Sequence, residues 1–191
     1  RGARYVMESL DGAYKGFSES MAHYTEENGR AFLGRCKIAD AESLYWASCG
    51  ILGAFSLDPM DTDVLAVVPG AVAMLERSAE LYPTFNDGAL WETLTAFYAA
   101  APESLGGGMD KAQEAYRKTL ELSGGKRPSV YVLYAQSFCV PMQDSVGFDE
   151  ALENALAIDP ETQPDNKLTI ILSQEKARWL QNMKGDYFLD D

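Results

Sequence analysis

One histidine, three cysteines and a cluster of aspartates are the residues through which this chain could do covalent or metal chemistry. His23 would need a nucleophile or carboxylate partner to act as a base, and no pattern supplies one, so a satisfied or solvent-facing imidazole is expected. Cys36, Cys49 and Cys139 are odd in number and lack C-x-x-C spacing, which fits neither a disulfide framework nor a zinc site. Cys49 reads as a small apolar core residue. Asp58, Asp61 and Asp63 lack the glycine and distal glutamate of a calcium loop and read as turn and cap residues. Gly106-Gly-Gly-Met-Asp-Lys111 and Gly124-Gly-Lys126 lack G-x4-G-K-[ST] and follow no strand, so they read as helix connectors rather than phosphate loops. Trp179 and Tyr187-Phe188 read as packing residues. No catalytic residue, metal or cofactor is therefore expected. Glu92 would be the only foothold for an enzyme, if its carboxylate stood in an apolar cavity.

The elements that must position these residues are helices. Tyr5 to Glu26 reads as one helix, with Val6, Leu10, Ala13, Phe17, Met21 and Tyr24 at spacings of three and four and Glu27-Asn28-Gly29 as its stop. Asp40 caps the next helix, which runs to Ser56. Pro69 suits the first turn of a helix ending near Tyr82-Pro83. Asp87 caps 88–101, Asp110 caps 111–122, and Pro141 and Pro160 end helices 129–140 and 146–158. A last helix runs from Asn166 to Met183. The 191 residues suit a single domain, and 47% apolar residues supply its core. A net charge of −13 repels phosphate backbones, so no nucleic acid partner is expected.

One pattern recurs three times. Trp46-x2-Cys49-Gly50-x2-Gly53 precedes Ala71-x3-Leu75-x2-Ser78-Ala79-x3-Pro83. Trp91-x2-Leu94-Thr95-x2-Tyr98 precedes Ala112-x3-Tyr116-x2-Thr119-Leu120. Tyr131-x2-Tyr134-Ala135-x2-Phe138 precedes Phe148-x3-Leu152-x2-Ala155-Leu156-x3-Pro160. This is the tetratricopeptide signature, and it predicts an all-α fold of irregular tetratricopeptide-like helix-pair repeats, an α-solenoid. The repeats cover about 41–83, 87–124 and 128–160, with capping helices at 5–26 and 166–183 in one domain over 1–191. The leading aromatics at 46, 91 and 131 are spaced more widely than the ~34 residues of a standard unit, which predicts long links at 54–70 and 99–111.

On the first helix of each repeat a second stripe lies about 140° from the signature face, at 100° per residue. It reads Leu44, Ala47, Ile51 and Phe55; then Glu92, Ala96, Ala99 and Ala100; then Val132, Gln136, Cys139 and Val140. In a helix-pair solenoid this stripe lines the concave surface, where a peptide groove would carry Lys, Arg and Asn. An apolar stripe must be covered. Either the terminal helices fill the concavity, or a cavity or channel holds a small apolar or amphipathic ligand. Both hold if the filling is incomplete.

The run Gly106-Gly-Gly-Met-Asp-Lys-Ala-Gln-Glu-Ala-Tyr-Arg-Lys-Thr-Leu-Glu-Leu-Ser-Gly-Gly-Lys126 resembles the stretch that marks the TatT family. Leu52-Gly-Ala-Phe55, Phe148 with its helix, and Glu175-Lys-Ala-Arg-Trp-Leu180 with Asp186-Tyr-Phe188 are similar to it as well. These are the T components of tripartite ATP-independent periplasmic (TRAP) transporters. The resemblance implies a periplasmic lipoprotein anchored by an acylated N-terminal cysteine, able to form trimers. It implies pairing with the substrate-binding P component and a pore or cavity for a hydrophobic ligand such as an organic acid. It implies no catalysis. Arg1-Gly-Ala-Arg4 contains no lipobox cysteine, so the anchor is expected to lie outside this sequence. The alternative is a tetratricopeptide scaffold that binds a partner protein and no small molecule.

Overall fold

In the computed structural model, which describes residues 2–188, every regular element is helical. The chain groups into two compact units, Arg1–Ala112 and Gln113–Asp191.

The first unit opens with three short helices, α1 (Gly2–Ala13), α2 (Phe17–Ala22) and α3 (Glu26–Leu33), where the periodicity predicted one helix over 5–26. Two local signals break it. Gly16 takes φ 86°, and the Asp11 carboxylate accepts the Ser18 N–H at 2.9 Å across the turn. Thr25 and Asn28 then form a reciprocal capping box that starts α3, so Asn28-Gly29 lies inside a helix rather than ending one. Gly29 is required there, because a Cβ would lie 2.0 Å from the Tyr24 ring.

Helix α4 (Ala41–Leu57) matches the sequence expectation, but α5 (Thr62–Leu81) begins well before Pro69. Asp61 caps it by accepting the N–H groups of Asp63 and Val64, and Pro69 rides inside the helix. The cap and the burial of Val68 and residues 70–75 outweigh the single backbone bond that Pro69 removes. The long link read at 54–70 is therefore only 58–61, and α5 itself contains the extra residues. Helix α5 lies against α4 and α2. A Cβ on Gly70 would stand 2.1 Å from the Met21 carbonyl, so only glycine permits this approach. Ser78 donates to the Ala41 carbonyl at 2.7 Å in the buried α4–α5 seam. Arg77 caps α3 from α5, donating to the carbonyls of Leu33 (3.1 Å) and Cys36 (3.2 Å) and pairing with Glu80 (2.8 Å). Helix α6 (Ala89–Ala100) follows a turn in which Asn86 and Asp87 take positive φ. Asp87 is thus a turn residue and not the predicted cap.

Helix α7 (Met109–Ser123) contains the boundary between the units. The second unit holds α8 (Pro128–Tyr134), which continues through a π turn over Ala135–Cys139 into the short α9 (Val140–Met142). Pro141 accounts for the π turn. It has no N–H for the Ser137 carbonyl and crowds it, so the helix widens and the Val140 N–H reaches Ala135 instead. Tyr116, Tyr134 and Phe138 stack beside it, with ring centroids 4.6 and 5.0 Å apart. Helices α10 (Ser145–Leu156), α11 (Lys167–Asn182) and α12 (Lys184–Tyr187) complete the unit. The buried Gln174 amide donates to the carbonyls of Ala155, Leu156 and Ile158 at 3.1, 3.2 and 2.7 Å. It closes the C-terminus of α10 from α11.

Candidate functional site

Helix α4 is apolar nearly all round, so its neighbours decide its faces. Leu44 and Ala47 are fully buried, and Gly50 meets α1, where a Cβ would lie 2.7 Å from that of Ala3. The terminal helix thus covers the N-terminal and middle part of α4. Trp46, read as a core residue of the signature face, is 51% exposed and donates to Glu42 at 3.3 Å. Toward the C-terminal end of α4, Cys49, Leu52, Gly53, Phe55 and Ser56, with Pro59 of the link and Thr93, Ala96, Phe97 and Ala100 of α6, line a half-open cavity of 440 Å³. Its size lies within the range of small-molecule sites. Small side chains produce it: glycine at 53 and alanine at 96 and 100 leave room that larger residues would fill.

The cavity is chemically quiet. The Ser56 hydroxyl donates to the Gly53 carbonyl at 2.8 Å and that of Thr93 to the Ala89 carbonyl at 3.0 Å. Burial pushes the Cys49 thiol above its ordinary range, with Tyr45 and Thr93 as hydrogen-bonding neighbours, so it stays a neutral thiol and a poor nucleophile. Burial likewise pushes the Tyr45 phenol up to about 12, with the Cys49 sulfur adding to the effect. A second hollow of 350 Å³, between α3 and α5, is polar. It contains Arg30 and Arg77, which pair with Glu26 and Glu80, and it carries Glu76 as well. Its acids outnumber its cations, and the Arg77 guanidinium is committed to backbone carbonyls. Among the described residues no group of three His, Cys, Asp or Glu side chains could hold a metal ion. His23 is exposed at the end of α2.

The predicted stripe is divided by the structure. Phe55 and Ala96 line the cavity, together with Ala100. Ile51, Glu92 and Ala99 are half-buried and outside its lining. Leu44 and Ala47 belong to the interior of the first unit. Val132 and Cys139 belong to the packed core of the second, with Ala135, Phe148, Leu152, Ala177 and Leu180, and Gln136 is half-buried on the same helix. Helix α11 covers the stripe of α8 in that core, as the filled alternative predicts. Cys49, Leu52, Gly53 and Thr93 were missed as cavity residues. The repeat signature turns Cys49 and Gly53 toward the paired helix and leaves Leu52 unassigned, and the small residues at 53, 96 and 100 are the signal that marks a gap.

No helix among the described residues is long and apolar enough to cross a membrane. The family model for the TRAP transporter T-component matches residues 1–188. The chain is also similar to a protein of Treponema pallidum (strain Nichols) that bears the description "Uncharacterized protein". The two are 46% identical over 190 residues, covering 100% of this chain and 59% of that protein. The chain therefore spans little more than half the length of the curated relative it matches. With an all-helical fold and a match over nearly its whole length, the chain belongs to the TRAP transporter T-component family, a family of transport accessory proteins rather than a known enzyme family.

Proposed function

We propose that this protein is the accessory component of a TRAP-type uptake system that binds the periplasmic substrate-binding P component and holds a hydrophobic small ligand in the cavity between α4 and α6. The single observation that carries the reading is that cavity: 440 Å³, largely apolar, and bordered by the loop after α4. In the native protein the chain faces the periplasm, tethered by an N-terminal lipid, and associates as a homotrimer. These last points rest on family membership. The reading is tested with a periplasmic substrate-binding P component of a TRAP system from the same organism. The two proteins co-elute on size exclusion, and an apolar fluorescent probe bound by the wild type is lost in Ala96→Trp. Failure to bind any periplasmic binding protein removes the transport role, and an unaltered probe signal in Ala96→Trp removes the cavity.

One observation favours the scaffold reading as a second possibility. Leu168, Leu172 and Trp179 lie along the outer face of α11 at 70%, 60% and 51% exposure, opposite the buried Ile170, Gln174 and Ala177. Exposed apolar stripes of this kind suit protein contacts. A Leu172→Glu variant that loses the P component while keeping the probe would separate the two roles.

A further inference from the structure

The cavity between α4 and α6 lies in a stretch almost without cations. From Ile38 to Asp110 the sequence carries one basic residue, Arg77, against eleven acidic ones. Arg77 is already committed to two backbone carbonyls and to Glu80, and it does not line the cavity. Pro59, on the cavity wall, stands in a loop with Asp58 and Asp61, and Asp63 opens the next helix.

The polar atoms of the wall point the same way. Ser56 gives its hydroxyl proton to the Gly53 carbonyl, so toward the cavity its oxygen accepts hydrogen bonds, and the Thr93 hydroxyl is engaged with the Ala89 carbonyl, Cys49 and Tyr45. Cys49 adds only a weak S–H donor, held neutral by burial. An ionised carboxylate inside this space would give up part of its water and meet, among the lining residues, no strong donor and no positive charge, an unfavourable exchange for an anion.

We infer that this cavity selects an uncharged, mainly aliphatic molecule whose polar end is a hydrogen-bond donor, such as an alcohol or an undissociated acid, and rejects the same molecule as a carboxylate. At ~30 Å³ per water-sized group, the volume holds roughly fifteen non-hydrogen atoms, the size of a medium-chain compound. The inference rests on the cavity reading above, which it narrows by charge.

The test uses the full chain at neutral pH with decanol and decanoate as matched probes. Cys49 lines the cavity, whereas Cys36 and Cys139 are buried, so the rate of Cys49 alkylation by a maleimide, located by peptide mass, reports occupancy of this site. Decanol slows the labelling, and decanoate needs at least about tenfold more for the same protection. Ser56→Lys places a cation at the exposed rim, and narrows the gap by raising decanoate binding above that of the wild type, whatever the loss of the Ser56 acceptor costs decanol. Equal or tighter protection by decanoate in the wild type overturns the charge selection and leaves the cavity reading standing. A preference for decanol that Ser56→Lys does not alter overturns charge as its cause. Protection by neither probe, with calorimetry silent for both, overturns the inference together with the cavity.

Discussion

The first helices of two repeats carry apolar stripes of similar composition and meet different ends. In the second unit, α8 and the π turn that continues it present Val132, Ala135 and Cys139 to Phe148, Leu152, Ala177, Leu180 and Phe188, and the space is filled. In the first unit, α4 lies against α1 and α5, and side chains toward its C-terminal end line, with Pro59 and α6, a gap of 440 Å³. The difference lies in the covering residues rather than in the stripe. Rings and branched aliphatics fill the space beside α8, while alanines 96 and 100 stand across from α4. An apolar helix face is therefore weak evidence for a ligand until the side chains opposite it are known.

The comparison can be broken at several points. Phe148 is fully buried at the centre of the filled core, so Phe148→Ala should cost about 3–5 kcal/mol in denaturant unfolding, the largest single effect considered. Paired enlargements give opposite signs. Ala151→Leu, in the filled core, should destabilise by about 1–3 kcal/mol. Ala96→Leu, in the cavity, should stabilise by about 0.5–2 kcal/mol while weakening any apolar probe. Equal signs for the two would mean that the cavity is no emptier than the core. The smallest effect is a pH dependence at Tyr45 in the first unit. Tyr45 keeps its proton to about 12 in the folded chain, whereas an unfolded tyrosine ionises near 10. The folded phenol is raised, so its contribution is fully present below pH ~10 and is lost as pH climbs toward 12. Alkaline unfolding of Tyr45→Phe should be less steep over that window than that of the wild type.

Much of the fold was legible in the sequence, because capping residues and breakers are local. The link after Leu57 and the glycine connector at 124–125 bound helices much as their chemistry requires, whereas Asp40 precedes α4 without a side-chain cap bond and accepts the Lys37 N–H instead, and Pro141 sits inside α9. The N-terminal break was not legible from periodicity, since Leu10, Phe17 and Met21 keep helical spacing across Gly16 and are all buried. Pro69 misled because its usual place in a first turn is a preference that the Asp61 cap overrides. The site was half legible. Phe55 and Ala96 follow from the stripe, but a helix apolar on every side has no polar face to fix its rotation. The signature thus points Trp46 inward when it lies half-exposed, and turns Cys49 away from the gap it borders.

The scarcity of basic residues between Ile38 and Asp110 also shapes how the molecule comes apart. A protease that cuts after lysine or arginine finds exposed sites at Lys37 and Lys111. Between them it meets only Arg77, whose guanidinium is tied to the carbonyls of Leu33 and Cys36 and whose side chain is 26% exposed. Nicking concentrates at exposed, loosely held backbone. Trypsin should thus trim the flanks of the native protein and leave α4, α5 and α6 as one long resistant peptide, the piece of chain that encloses the cavity.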